Sequence, residues 1–367
     1  MLKVMFNVVL SVFDLLLPKK NQVCFYITPR TSWDTNQQVL YAKLRHRTEI
    51  VVVDGNDINP NSVLIILKSI WRLARSKTII FDHSIPSGLR SGRHINVNVW
   101  HGSPIKKIRF LSVERFDKKF LIEQSKITDL VVSASSYDAL LLCSALNVPY
   151  FNVTTFGLPR NDYLTCQRTE LEDIDLYSEN DVIESIVQEY DKSILFAPTY
   201  RGDSHIKNDP MLFDEVELVT LEKYLLENNI VFLVRSHKFS SFSDENRLLK
   251  MQNVIDVSDF RNPMLLLRHT DLLVTDYSSI WVDYLLLNRP IIIYTPDIDN
   301  YTKEHGFIFD FMESIPCKPL YAFNELILSI DERIKSKSIS KKQTQFYDKY
   351  HGTKAISSSD ELLKILL

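Results

Sequence analysis

The chain has 367 residues, 45% of them apolar and 24% charged, an ordinary globular balance at a length that suits about two domains and excludes collagen-like, mucin-like or wholly disordered chains. Lys and Arg number 43 against 46 Asp and Glu, for a net charge of −3. No global field therefore draws the protein to nucleic acid, and any anion site must be local.

The first seventeen residues, MLKVMFNVVLSVFDLLL, run into Pro18, Lys19 and Lys20 and are slightly short for a membrane span. Their polar members Lys3, Asn7, Ser11 and Asp14 step by four, four and three, which makes one narrow polar stripe on an otherwise apolar helix within residues 1–20. Two readings stay open for it: a helix lying in a membrane interface, or one packed on the protein's own core. A secretory signal is not expected, since no small-x-small cleavage site follows.

Beyond it, apolar runs of strand length alternate with helical patterns, the signature of parallel sheets with crossover helices. Strands are predicted over 22–27, 49–53, 78–82, 95–99, 129–133 and 150–155, then 193–197, 230–235, 271–275 and 290–294. They group into an N-terminal domain over 21–168 and a second over 191–340. The acidic stretch between, 169–190, reads as a linker plus the first helix of the second domain. Residues 64–74, LIILKSIWRLA, read as a core-facing helix in preference to a membrane one. The basic run 105–120 carries Lys106, Lys107, Arg109, Arg115, Lys118 and Lys119 among apolar residues, and suits either a solvated face or a surface for a phosphate-bearing or lipid-linked partner.

An internal echo supports twin halves: DLVVSASS at 129–136 and DLLVTDYS at 271–278 each read as a buried strand ending in residues that can cap a helix, over 137–146 and 279–287. Ligands of such sheets bind outside the carboxyl ends of the strands. Four strand ends there carry candidate chemistry. His101 closes the strand 95–99 ahead of Gly102, with Lys106 and Lys107 just beyond, although a lone strand-end histidine is also a common structural residue. Arg235, Ser236 and His237 close another strand, where an arginine paired with a carboxylate is the bland alternative. Pro198, Thr199 and Arg201 follow a third. Ser278 and Ser279 fall at a helix N-terminus, where unpaired N–H groups and the dipole favour a phosphate. Only eight glycines are present, with no P-loop and no G-x-G-x-x-G, which argues against a nucleoside triphosphatase or a nicotinamide enzyme. Cys24, Cys143, Cys166 and Cys317 form no C-x-x-C pair and have no histidine at zinc-ligand spacing. A disulfide framework and a structural metal are not expected, and a reducing, cytoplasmic setting fits.

The order of these motifs resembles the CDP-glycerol glycerophosphotransferases, which build teichoic acids and related phosphate-linked capsule polymers. The likeness runs from about residue 78 to 355. It is carried by WHGSP at 100–104 with Lys106 and Lys107, FGLPRND at 156–162, APTYR at 197–201, RSH at 235–237 and DVSD at 256–259. TDYSS at 275–279 with Asp283, RPII at 289–292 and GFIFD at 306–310 complete it. Lys238 stands where that family usually has proline after the second histidine.

The resemblance implies an α/β fold of two Rossmann-like domains facing a cleft, of the glycosyltransferase B type. The donor would be held by the C-terminal half, and the tail 341–367 would cross back as a helix to the first domain. By the same resemblance His101 is the base for the acceptor hydroxyl, and His237, Arg235, Arg201 and the Ser278–Ser279 helix end neutralise the departing CMP. Arg160, Pro198, Thr199 and Asp283 would contact the CDP-alcohol, with Gly102, Ser103, Pro104 and Ser236 in the same donor set. Lys106 and Lys107 would meet acceptor or phosphate. By the same resemblance no protein-bound metal and no cofactor are expected.

The implied partners are a CDP-alcohol donor, a lipid-linked or polymeric saccharide or polyol-phosphate acceptor, and the inner membrane surface, with the protein cytoplasmic and peripheral there. Glycerol and ribitol remain alternatives for the polyol. A glycosyltransferase or nucleotide-sugar epimerase on the same fold is the rival function, and a non-catalytic membrane scaffold a further one.

Overall fold

The computed structural model describes residues 2–29, 31, 33–58, 62–112, 117–167, 170, 177–199, 213–235, 247–352 and 357–367. The chain divides into two compact units, one of Met1–Asp162, Gln167–Asp175 and Tyr350–Leu367, the other of Tyr163–Cys166 and Leu176–Lys349.

In the first unit β1 (Lys20–Ile27), β2 (Glu49–Asp54), β3 (Ser76–Phe81), β4 (Ile95–Asn98), β5 (Leu130–Val132) and β6 (Val153–Thr154) form a parallel sheet in the order β2-β1-β3-β4-β5-β6. Alternate residues of β1 serve opposite faces, as a pleated strand covered on both sides must. Cys24 and Tyr26 join Phe6, Leu10, Ile70 and Leu73 from α1 (Leu2–Leu16) and α3 (Val63–Arg75). Val23 and Phe25 join Leu40 and Leu44 of α2 (Thr35–Leu44), and also Leu362 and Leu363 of the last helix, Ser358–Leu366. The Asp162 carboxylate secures that helix by accepting from the backbone N–H of Ser358 at 2.9 Å and of Ser359 at 3.1 Å, where a helix start favours negative charge. Residue 150 onward was predicted as strand, but a 3₁₀ turn, Tyr150–Asn152, occupies its start. Phe151 there is exposed.

Helix α1 turns Asp14 of its polar stripe inward, the reverse of what a helix floating in an interface would do. Asp14 is fully buried; it pairs with His94 Nε2 at 2.7 Å and with Lys19, and accepts from the Arg90 backbone N–H at 3.0 Å. Burial pushes its carboxyl up, and the hydrogen bonds and charges of His94 and Lys19 outweigh that and hold it below the ordinary aspartate value. The outward face is apolar: Val4, Met5, Val8, Val12, Leu15 and Leu16 are exposed. Neighbouring α3 behaves alike: the residues expected as a core-facing helix turn one face to the core and leave the other exposed. Ile70, Leu73 and Ala74 are buried, whereas Val63, Leu64, Leu67 and Trp71 stay exposed, Leu64 at 77%.

Gly88 packs directly against α1, since a Cβ there would lie 2.4 Å from the Asn7 carbonyl oxygen. Gly88→Ala is expected to cost about 1–3 kcal/mol by overpacking. Hydrogen exchange checks it, with protection falling selectively along α1.

The second unit holds a parallel sheet of β7 (Lys192–Ala197), β8 (Ile230–Val234), β9 (Val254–Asp256), β10 (Leu272–Thr275) and β11 (Ile291–Ile293), ordered β11-β10-β7-β8-β9. Strand β9 was not predicted, because it offers only two apolar residues, Val254 and Ile255, before Asp256. One face of the sheet packs Phe196, Phe232 and Leu272 against Leu221 and Leu225 of the helix Glu215–Glu227 and Leu326 and Ile330 of the helix Phe323–Ser336. After β10, the helix predicted over 279–287 is a short α-helix, Ile280–Tyr284, and a 3₁₀ turn, Leu285–Leu287, stopped by Asn288 at φ 52°.

Candidate active site

In the first unit the candidate residues gather just beyond the carboxyl ends of β3 and β4. The Asn98 side chain accepts from the Trp100 N–H at 2.8 Å, turning the chain sharply enough that Trp100 takes φ 39° and Gly102 φ 143°. A tryptophan in the left-handed region is strained and needs its surroundings to hold it. Asn36, fully buried on α2, does so by donating to the Trp100 carbonyl at 2.8 Å and accepting from the Arg160 N–H at 2.9 Å. The Arg160 guanidinium in turn donates to the His101 carbonyl. Sequence placed Arg160 with the donor; the fold commits it in part to shaping the His101 loop.

His101 is exposed and lies among rings. His83 stacks on it at 4.2 Å between centroids and 14° between planes, and Trp100 lies at 4.3 Å. Arg109 sits 5.4 Å over the Trp100 ring and donates to the His83 carbonyl at 3.0 Å. The imidazole of His101 is pushed well below the ordinary histidine value, first by burial among protein atoms and then by His83, Arg160, Arg109 and Lys106. Water reaching an exposed ring offsets part of the burial effect, and the cationic neighbours keep the direction downward. His101 is thus neutral near pH 7 and able to accept a proton.

Asp82 and His83 were missed by sequence reasoning, although His83 follows a strand just as His101 does. Asp34, the N-cap of α2, was missed too; burial and then the charge of Asp82 push its carboxyl up to about 6.

Gly102, Ser103 and Pro104 are buried, and the Ser103 hydroxyl has no partner among the described residues. Lys106 is half-buried and Lys107 exposed. The basic run does not form one face: Arg109 turns inward on Trp100 and His83, while Lys118 and Lys119 open α4 (Lys118–Ile127), capped by Asp117. Arg115 lies outside the described residues.

In the second unit, Asp276 at the end of β10 is fully buried and organises the neighbouring strand end. Its carboxylate accepts from the Thr199 N–H at 2.9 Å and the Thr199 hydroxyl at 2.7 Å, fixing Thr199 beside Pro198. It also accepts from the Ser278 N–H at 3.3 Å. Ser279 is the N-cap of the helix Ile280–Tyr284 and makes no side-chain cap bond. The structure thus brings Pro198, Thr199, Ser278 and Ser279 together at one sheet edge. Asp283 is 1% exposed, inside the unit. Arg235 donates to the carbonyls of Val257 at 3.1 Å and Phe260 at 2.9 Å, bracing the loop after β9. Arg201, Ser236 and His237 lie outside the described residues. Among those described, no group of three His, Cys, Asp or Glu could hold a metal ion.

Residues 9–367 match the family described as CDP-Glycerol:Poly(glycerophosphate) glycerophosphotransferase. The chain is 28% identical over 82% of its length, and 77% of the relative's, to a teichoic acid poly(glycerol phosphate) polymerase of Bacillus spizizenii. It is 27% identical over 93% of its length to a teichoic acid glycerol-phosphate transferase of Staphylococcus aureus, covering 92% of that protein. Among solved structures, the wall teichoic acid polymerase TagF superposes with a TM-score of 0.78 at 21% identity, covering 98% of this chain and 92% of that one. That likeness establishes the fold, two α/β domains of the glycosyltransferase B type.

Proposed function

The chain belongs to the CDP-glycerol:poly(glycerophosphate) glycerophosphotransferase family, and on that premise we propose that it transfers a polyol phosphate from a CDP-alcohol to a hydroxyl of a polymeric or lipid-linked acceptor, releasing CMP. The observation that carries the chemistry is the placement of His101 beyond the end of β4, on a loop braced by Asn36 and Arg160. The acceptor oxygen attacks the β-phosphorus as its proton passes to the imidazole. A new phosphoester bond forms, the bond from that phosphorus to the bridging oxygen breaks, and CMP departs with the electron pair.

CMP leaves as a phosphate, so the departing group needs charge stabilisation more than a proton. We assign that work to the second unit. The Ser278 and Ser279 hydroxyls and the helix start behind them suit the pyrophosphate, and Thr199 is pre-set beside them by Asp276. Arg201, Arg235 and His237 complete the proposed donor set.

Incubation with CDP-glycerol, CDP-ribitol and UDP-sugars tests the reading. CMP release from a CDP-alcohol is expected, and release of a nucleoside diphosphate from a sugar donor instead would favour the glycosyltransferase alternative. Ser278→Ala combined with Ser279→Ala should weaken donor binding roughly 10-fold or more in calorimetric titration, since each hydroxyl bond to a charged group contributes about 1.5–3 kcal/mol.

The site of action we propose is a membrane surface, reached peripherally. No helix among the described residues is long and apolar enough to cross a membrane. The support is the outward apolar face of α1 and α3, with exposed Lys68 and half-exposed Arg72 and Arg75 on α3 able to meet anionic headgroups. A lipid-linked acceptor would be presented there.

A further inference from the structure

Asp82 and His83 have no part in the proposed reaction, yet they are built with more care than a surface pair. The Asp82 carboxylate is buried at the end of β3. One oxygen accepts from the Thr28 hydroxyl at 2.9 Å and the His83 N–H at 2.9 Å, and the other faces His83 Nδ1 at 2.6 Å. A carboxylate bound three ways cannot swing, so the imidazole it holds is fixed in orientation and donates from Nδ1. The ring so fixed lies flat against His101, 4.2 Å away and 14° from parallel. Arg109 also donates to the His83 carbonyl at 3.0 Å.

We propose that Asp82 and His83 are a positioning pair for His101: the carboxylate locks the His83 ring, and that ring, stacked face-on, sets the plane of the His101 imidazole and the charge it meets. Two stacked rings cannot hydrogen-bond to one another, so their coupling is steric and electrostatic. The groups that act on His101 are His83 from just beyond β3, Lys106 and Arg109 from its own loop, and Arg160 from the turn Pro159–Asn161; behind them Asp82 holds His83, and Asp34 at the start of α2 meets Asp82, Arg160 and His83. After burial, His83 is the foremost cause of the lowered proton affinity of His101.

The proposal rests on His101 being the base only for its kinetic arm. The first measurement is NMR titration of the His101 ring in the full chain, which needs no substrate. His83→Phe keeps a stacked ring and removes the imidazole with its bond to Asp82; its His101 midpoint is expected to rise by about half a pH unit or more. His83→Asn keeps a donor toward Asp82 and loses the stack, and should raise the midpoint and broaden the His101 resonances as the ring gains freedom. Asp82→Asn should broaden them as well.

The kinetic arm then follows CMP release: in His83→Phe the acid limb should move upward with the titration, with donor affinity unchanged. An unchanged His101 midpoint in a folded His83→Phe variant, judged by near-UV circular dichroism, overturns the pair. If that variant does not fold, an unchanged midpoint in folded His83→Asn overturns it equally. A shifted midpoint in a chain that releases no CMP from any CDP-alcohol would instead leave the pair standing and remove the proposed reaction.

Discussion

His101→Ala lowers CMP release by about 10²–10⁴-fold while donor affinity stays near that of the parent chain. The separation follows from where the groups sit. His101 belongs to the first unit, on a loop braced by Asn36 and Arg160, whereas the hydroxyls assigned to the donor belong to the second. Removing a base that acts only as the acceptor loses its proton costs turnover and leaves ground-state binding of the donor alone. Steady-state rates beside calorimetric titration with CDP-glycerol decide it, and near-normal turnover would return His101 to the rank of a structural strand-end residue.

The pH dependence carries a sign. His101 must be neutral to accept the proton, and its proton affinity is held well below the ordinary value. The rate therefore stays level as pH falls through about 6.5 and drops only at lower pH, where the ring becomes charged.

The second large effect concerns membrane attachment. Val8→Glu together with Leu64→Glu is expected to lower partition onto anionic vesicles by about 100-fold or more. Burying an aliphatic side chain is favourable by about 1.5–3 kcal/mol, and each introduced carboxylate is repelled by the anionic surface. Both positions are exposed, at 59% and 77%, so the fold should be little disturbed. Sedimentation with and without anionic lipid, at low and high salt, reads the result. Equal recovery of the parent chain in the supernatant under all conditions would sink the proposal.

The two parallel α/β units were legible in the sequence because a strand covered on both faces is a short apolar run, and ten such runs lie between helical patterns. Strand β9, with only Val254 and Ile255 apolar, left no such trace. The strand ends bearing His101, Thr199 and Ser278 were legible too, since a sheet exposes its polar loops where the strands stop.

What the linear pattern could not hold was direction and partnership. The stripe of Asn7, Ser11 and Asp14 was visible on α1, but a helical period says only that residues share a face. Whether that face looks to water or to the protein depends on what waits opposite, and His94, some eighty residues away, supplies the buried partner that turns Asp14 inward. Arg109 read as one charge in a basic run until the fold set it against Trp100 and His83. The stacking of His83 on His101 joins the ends of two adjacent strands. Composition and periodicity determined which segments are buried strands and where their polar ends fall. Pairing between distant segments was decided only in three dimensions, because a buried charge is tolerated only where the folded chain brings it a partner.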